Sequence, residues 1–175
     1  MYYAGGINYH RGLQHVVKAM HLSSNNQLKF WILGEGSYKN ELMELVQQLS
    51  LTSQVIFFGY QPFQIVMEKL AEADFAVIPH IKNAHTDSTI PHKLFQYMYA
   101  QKPVIASDCL PIKRILEETQ SGIIYRHNDA EQLAEIFNRV GELDTTNMGE
   151  NGKKNVLKKY NWGNDSIILT GIYLA

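Results

Sequence analysis

Residues 86–107, TDSTIPHKLFQYMYAQKPVIAS, concentrate the side chains best placed to bind an anion. The segment runs from a polar loop through Pro91 into an amphipathic helix, stops at Lys102-Pro103 and continues as a short apolar strand. The first turn of a helix has amide N–H groups without intrahelical partners, and the helix dipole puts partial positive charge there. A phosphate or carboxylate therefore suits the approach formed by Ser88, Thr89, Ile90 and Pro91. Lys93 falls in that first turn, where a cation opposes the dipole unless an anion is bound. A capped helix with a solvated lysine accounts for the same residues without a ligand. The loop also holds His80, His85, Asp87 and His92. No two of these histidines stand four apart and no second carboxylate is close, so no metal site is expected. Hydrogen bonding to solvent or to a ligand is the expected role of the histidines.

Three glycine-containing turns could line the same site. Gly5 and Gly6 let backbone approach a ligand closely, and Arg11 has the fixed charge and multiple donors that suit a diphosphate. A plain turn with a surface arginine explains them equally. Gly34-Glu35-Gly36-Ser37 follows a strand pattern and precedes a helix pattern, as in a dinucleotide fingerprint. The third glycine is absent, because Tyr38, Lys39 and Asn40 follow, and a tight turn with Ser37 as N-cap is expected. Gly59-Tyr60 closes a third strand pattern. Cys109 has no evident helper, and no nucleophile elbow or phosphate-loop pattern occurs.

The elements that must position these residues alternate along the chain. Strand patterns fall at residues 1–4, 29–33, 55–58, 75–78, 104–106 and 122–125. Helical spacing links Leu13, Val16, Val17 and Met20, then Leu42, Leu45, Val46 and Leu49. Helices are also expected at 61–71, 91–100, 148–160 and 163–174, with another apolar face at Leu133, Ile136, Phe137 and Val140. Residues 141–149 are the most linker-like stretch. Short strands that are apolar on both faces and separated by helices imply an α/β, Rossmann-like, doubly wound parallel sheet of about six strands with helices on both faces. Ligands bind such sheets beyond the carboxyl ends of the strands. There the loops 5–11, 34–38, 59–62, 79–91 and 107–111 form one rim.

Composition narrows the function classes. The 175 residues suit one domain, with 45% hydrophobic and 19% charged residues. Sixteen basic residues against 17 acidic ones give a net charge of −1, without the basic footprint of a nucleic-acid partner. A single cysteine excludes an internal disulfide and fits a reducing cytoplasm. No apolar run reaches membrane-spanning length, and the first residues lack a signal-peptide pattern. The abrupt opening strand points to a piece of a longer protein.

In order and spacing, these segments resemble the C-terminal, donor-binding domain of group 1 glycosyltransferases, the retaining enzymes of GT-B architecture. YAGGINYHRG, LKFWILGEG, LTSQVIFFGYQP, AEADFAVIP, KLFQYMYAQKPVIAS, SGIIY and KYNW carry the likeness over nearly the whole chain. The resemblance implies transfer of a sugar from a nucleotide diphosphate to an acceptor hydroxyl. It implies a nucleotide-sugar donor as substrate, no separate cofactor, and an N-terminal Rossmann-like partner domain absent from this chain. A cytoplasmic location, at the membrane face if the missing domain provides contact, goes with it.

The family's diphosphate-binding arginine and lysine fall here on Gly6 and Arg11. Its two glutamates, one for the donor sugar and one for the ribose, fall on Ser88 and Gln96. Gln96 can still hydrogen bond a ribose hydroxyl, and Asp87 adjoins the sugar position. His85, Lys93 and the first-turn amides stand in for the missing arginine. Backbone at Gly59 and Tyr60 and the Gly34-Gly36 turn would meet the base. Arg11 and Lys93 would stabilise the leaving diphosphate, the catalytic task of this domain. The two alternatives are a non-catalytic nucleotide-sugar-binding module and an unrelated Rossmann-like flavin or nicotinamide protein.

Overall fold

Strands with apolar side chains on both faces must be covered on both sides, and the structure does this with two separate cores. The computed structural model describes residues 1–173, the side chain of Ile168 excepted. Its strands are β1 (Tyr2–Ala4), β2 (Phe30–Leu33), β3 (Val55–Gly59), β4 (Ala76–Ile78), β5 (Val104–Ser107) and β6 (Gly122–Tyr125). They form one sheet in the order β3-β2-β1-β4-β5-β6, and every pair is parallel. Helices α1 (Leu13–Leu22), α2 (Lys39–Gln48), α3 (Phe63–Glu72), α4 (His92–Tyr99), α5 (Leu110–Thr119) and α6 (Ala130–Asn138) lie between and after the strands. Helices α7 (Thr145–Lys158) and α8 (Trp162–Tyr173) follow.

One core joins Tyr3, Phe30, Ile32, Val77 and Ile105 of the sheet to Val16 and Met20 of α1, Leu42 of α2 and Phe137 of α6. The other joins Tyr2, Leu33, Ile78, Val104 and Ala106 to Leu70 of α3, Leu94 and Met98 of α4, Ile112 and Ile115 of α5, and Val156 of α7. Alternate residues of one strand serve opposite cores: Tyr2 faces one and Tyr3 the other. The doubly wound α/β expectation holds, with six strands.

Three local expectations need correction. Helix α5 occupies residues 110–119, where no element was expected, although Ile112, Ile115, Leu116 and Thr119 are buried at helical spacing. Residues 141–149 are no linker: α7 begins at Thr145, where the Asp144 carboxylate accepts from Asn147 N at 3.1 Å. Gly149, at the end of this stretch, and Gly152, just beyond it, form a contact face of α7. A Cβ on Gly149 would lie 2.3 Å from the Gln101 carbonyl oxygen, and one on Gly152 would lie 3.2 Å from Met98 Cα. Their absence lets α7 pack tightly on α4. Ser37 does not cap α2, since Tyr38 is the N-cap; the Ser37 hydroxyl lies 3.2 Å from Asn8 Oδ1. The last helix covers most of the expected 163–174, but Leu174 lies outside the described residues.

Candidate functional site

The chain crosses the sheet twice in opposite directions from its middle: β1 to β2 to β3 on one side, then β4 to β5 to β6 on the other. The loops after β1 and β4 therefore diverge and leave a crevice at their carboxyl ends. Both loops are stitched together there. Ile81 N donates to His10 O at 3.0 Å, and Gly12 sits against Pro79 so closely that a Cβ would lie 1.7 Å from its carbonyl oxygen.

Arg11 ends a short 3₁₀ turn, Tyr9–Arg11, in the β1 loop. Its Nη1 lies 3.3 Å from His80 Nε2, across the switch point, and its Nε is buried without a hydrogen-bond partner. His80 is buried at the end of β4, and its pKa falls to about 3. Burial is the main cause, followed by the positive charges of Lys93 and Arg11. The ring is therefore neutral, with Nε2 accepting from the guanidinium and the proton on Nδ1.

Lys93 stands in the first turn of α4, whose N-cap, Pro91, offers no side-chain hydrogen bond. Its ammonium lies 3.9 Å from the centroid of the Tyr3 ring. Gly5, at φ +141°, makes room for it: a Cβ there would come within 2.6 Å of Lys93 Nζ. Desolvation and then the Arg11 charge bring the Lys93 pKa down to about 7. The Tyr3 hydroxyl donates to Gly6 O at 2.9 Å, so the ring beneath the ammonium is itself fixed to the β1 loop. Ala4 N donates to Tyr97 OH at 3.1 Å, tying β1 to α4. Among the described residues, neither Arg11 nor Lys93 forms a salt bridge.

The structure brings Gly5, Gly6, Arg11 and Lys93 into one neighbourhood, with Gly34 and Gly36 on its far side. Gly5 N donates to Leu33 O and Ile7 N to Glu35 O, both at 2.9 Å, so the β1 and β2 loops run side by side. Gly59 O accepts from Gly34 N at 2.7 Å, and Tyr60 follows, 81% exposed on the rim. Gln96 is exposed on α4, one turn beyond His92.

The β4–α4 loop is more self-contained. The Ser88 hydroxyl donates to Ala84 O at 2.8 Å and to His85 O at 3.0 Å, and the Thr89 hydroxyl donates to His85 O at 2.8 Å. Asp87 Oδ1 accepts from Leu110 N at 2.9 Å, so this carboxylate caps α5. His85 and Ile90 are exposed, and Pro91 carries the chain into α4. Lys82 and His127 converge on Asp108, which binds the β4, β5 and β6 loops together; Asp108 Oδ1 is 2.9 Å from His127 Nδ1. No group of three metal-ligating side chains converges among the described residues.

Sequence reasoning missed Tyr3, and it gave His80 only the role of a loop histidine bonded to solvent or to a ligand, not that of a partner to Arg11. Tyr3 lies within an apolar strand, and His80 stands two residues past the end of another. A polar ring at a strand's carboxyl end beside a cationic loop is the signal that could have found them. A cleft of about 600 Å³ lies elsewhere, between α1 and the loop after β6, lined by Lys18, His21, Arg126 and His127 among others. Its one arginine pairs with Asp129 at 2.7 Å.

Known proteins share both the fold and the sequence pattern. The chain is 30% identical over 118 residues to a putative colanic acid biosynthesis glycosyltransferase of Escherichia coli K12, over 67% of this chain and 29% of that protein. Among solved structures it superposes on the C-terminal domain of a group 1 glycosyltransferase, LpcC, of Francisella tularensis. That match has a TM-score of 0.75 at 19% identity, over 92% of this chain and 85% of that one. It also superposes on Anabaena HepE, solved with UDP, with a TM-score of 0.83 at 17% identity, over 97% of this chain and 47% of that one. The chain spans 29–43% of the length of the curated relatives it matches. No described helix is long and apolar enough to cross a membrane. Residues 1–155 match the model of the family "Glycosyl transferases group 1", and the chain belongs to that family.

Proposed function

We propose that this chain is the donor-binding half of a two-domain glycosyltransferase and holds the diphosphate of a nucleotide sugar at the crevice between β1 and β4. One observation carries the reading: Arg11 and Lys93 meet there with uncharged partners, an imidazole and a phenol ring, and among the described residues no carboxylate forms a salt bridge with either. Two partly desolvated cations without counter-ions are costly unless an anion completes them. The uncapped first turn of α4 adds amide donors of the same polarity. UDP in the solved structure of the HepE relative supports a uridine nucleotide as the first ligand to try.

In the reaction, the bond from the anomeric carbon to the diphosphate oxygen breaks, and a bond to the acceptor oxygen forms. The electron pair of the broken bond stays on the diphosphate, and the acceptor loses its proton. Arg11 and Lys93 stabilise the negative charge that gathers on the leaving group, a contribution worth about 2.7–4 kcal/mol of barrier for a single well-placed donor. Gly59, Tyr60 and the Gly34-Gly36 turn border the base, and Gln96 and His85 are the rim groups available to ribose and sugar. The acceptor site belongs to an N-terminal α/β domain, and the single buried Cys109 is in keeping with a cytoplasmic protein.

A thermal-shift panel of UDP, GDP, ADP, FMN and NAD tests this. The expected result is stabilisation by a nucleoside diphosphate, lost in Arg11→Ala. Stabilisation by FMN or NAD alone overturns the reading, and an unchanged shift in Arg11→Ala moves the diphosphate away from Arg11.

A further inference from the structure

We propose that His80 is the positioning residue for Arg11: a ring nitrogen, in place of a carboxylate, orients the guanidinium and leaves its charge whole for the diphosphate. The inference rests on the nucleotide-diphosphate reading above. An arginine that must meet a ligand anion needs an acceptor to fix its rotamer, because a free side chain loses conformational entropy when the ligand binds. A carboxylate would fix it but would also cancel the field that the ligand uses. A neutral imidazole fixes it without that cancellation.

The surroundings of His80 are built for this. Arg11 Nη1 lies 3.3 Å from Nε2, which accepts only when the ring is neutral and protonated at Nδ1. The charged and titratable groups facing the ring are Lys93, Arg11, His10 and His85, and each disfavours an imidazolium. The residue's backbone is held firmly, because its carbonyl accepts from the Ser107 hydroxyl at 2.6 Å. The next residue, Ile81, donates its N–H to His10 O, in the same 3₁₀ turn that carries Arg11. The ring therefore stands at a fixed place behind the guanidinium, on the opposite lip of the crevice.

The test is UDP affinity, followed by NMR titration of the 175-residue chain, in the wild type, His80→Leu, His80→Gln, Arg11→Ala and the double variant Arg11→Ala/His80→Leu. His80→Leu should weaken UDP by about tenfold, the size of a charge-assisted hydrogen bond's orienting effect. His80→Gln restores an acceptor oxygen and should remain within about threefold of wild type. In the Arg11→Ala background, His80→Leu should change the affinity by less than about twofold, because the effect passes through Arg11. Equal losses in both backgrounds, or a His80→Gln variant as weak as His80→Leu, overturn the proposal. A second measurement covers failure of the leucine variant to fold: ¹⁵N spectra of the wild-type imidazole should show the proton on Nδ1 at pH 7, and a proton on Nε2 overturns the proposal. If the wild-type chain binds neither UDP nor GDP, the nucleotide-diphosphate reading falls and this inference with it. If Arg11→Ala weakens UDP while His80 variants behave additively, the reading stands and only the inference falls.

Discussion

Lys93 makes ligand binding depend on protons, and the size of the effect follows from its surroundings. With its pKa brought down to about 7, half of the free molecules at pH 7 carry a neutral amine. A bound diphosphate supplies the missing counter-charge and returns the group toward an ordinary lysine value, about 10.4. If only the ammonium form binds, the apparent dissociation constant grows about fivefold from pH 7 to pH 8 and approaches tenfold per unit above that. Binding at pH 7 should take up about half a proton. The two uncharged partners of the cations do not contribute to this dependence: His80 stays neutral between pH 7 and 9, and burial pushes the Tyr3 hydroxyl well up. The ligand's own terminal phosphate, with a pKa of about 6, is about nine-tenths ionised at pH 7 and more so above it, so it adds little to the slope.

Isothermal titration with UDP in buffers of different ionisation enthalpy measures both quantities. Lys93→Met should bind more weakly and lose the pH slope and the proton uptake. The same substitution should stabilise the ligand-free chain. A lysine whose folded pKa is depressed costs stability wherever the unfolded chain is protonated and the folded one resists it, so the cost is full below pH 7 and fades as pH rises toward 10.5. The gain in Lys93→Met should be about 1–4 kcal/mol at pH 7 and vanish near the upper limit. Wild-type affinity that stays flat from pH 7 to pH 9, with no proton taken up, refutes the reasoning.

His80 should limit stability in acid. Its folded pKa near 3 lies below the usual 6.5, so stability is complete above pH 6.5 and drains away as pH falls toward 3. Denaturant melts should show wild type losing up to about 1.4 kcal/mol per pH unit more than His80→Gln in that window, and parallel losses would show that the ring is not held neutral. Gly12→Ala forces a side chain onto a left-handed residue at φ +74° and against Pro79 O, and should cost more than about 2 kcal/mol, read as a lower melting temperature. Asp87→Ala removes the cap on Leu110 N and should cost about 1 kcal/mol while leaving UDP affinity unchanged. A loss of affinity without a loss of stability would instead place that carboxylate at the ligand.

Much of the architecture is written in local patterns. FAVI reads as a buried strand, because no polar side chain interrupts it to face water on either side, and all four residues are buried; GIIY reads the same way, yet as the edge strand β6 it is half-buried except at Tyr125. The order of turns that follow them sets the rim, and so the neighbourhood of Gly5, Arg11, Gly34, Gly59 and Lys93. Local patterns also mislead: residues 141–149 read as a linker, yet α7 begins at Thr145 and Gly149 packs against Gln101. Helix α5 was legible in Ile112, Ile115 and Leu116, though its cap, Asp87, lies 23 residues away in the chain.

By itself, then, the sequence settled the alternation of elements, the parallel sheet and the glycine-lined rim, since periodicity and turn chemistry act over a few residues. Only the tertiary structure decided the protonation and partners of the cations. Arg11 meets His80, 69 positions away, and Lys93 rests on Tyr3, because strands remote in sequence become neighbours at the switch point. Charge, burial and hydrogen bonding there depend on distances through space, which no spacing along the chain encodes.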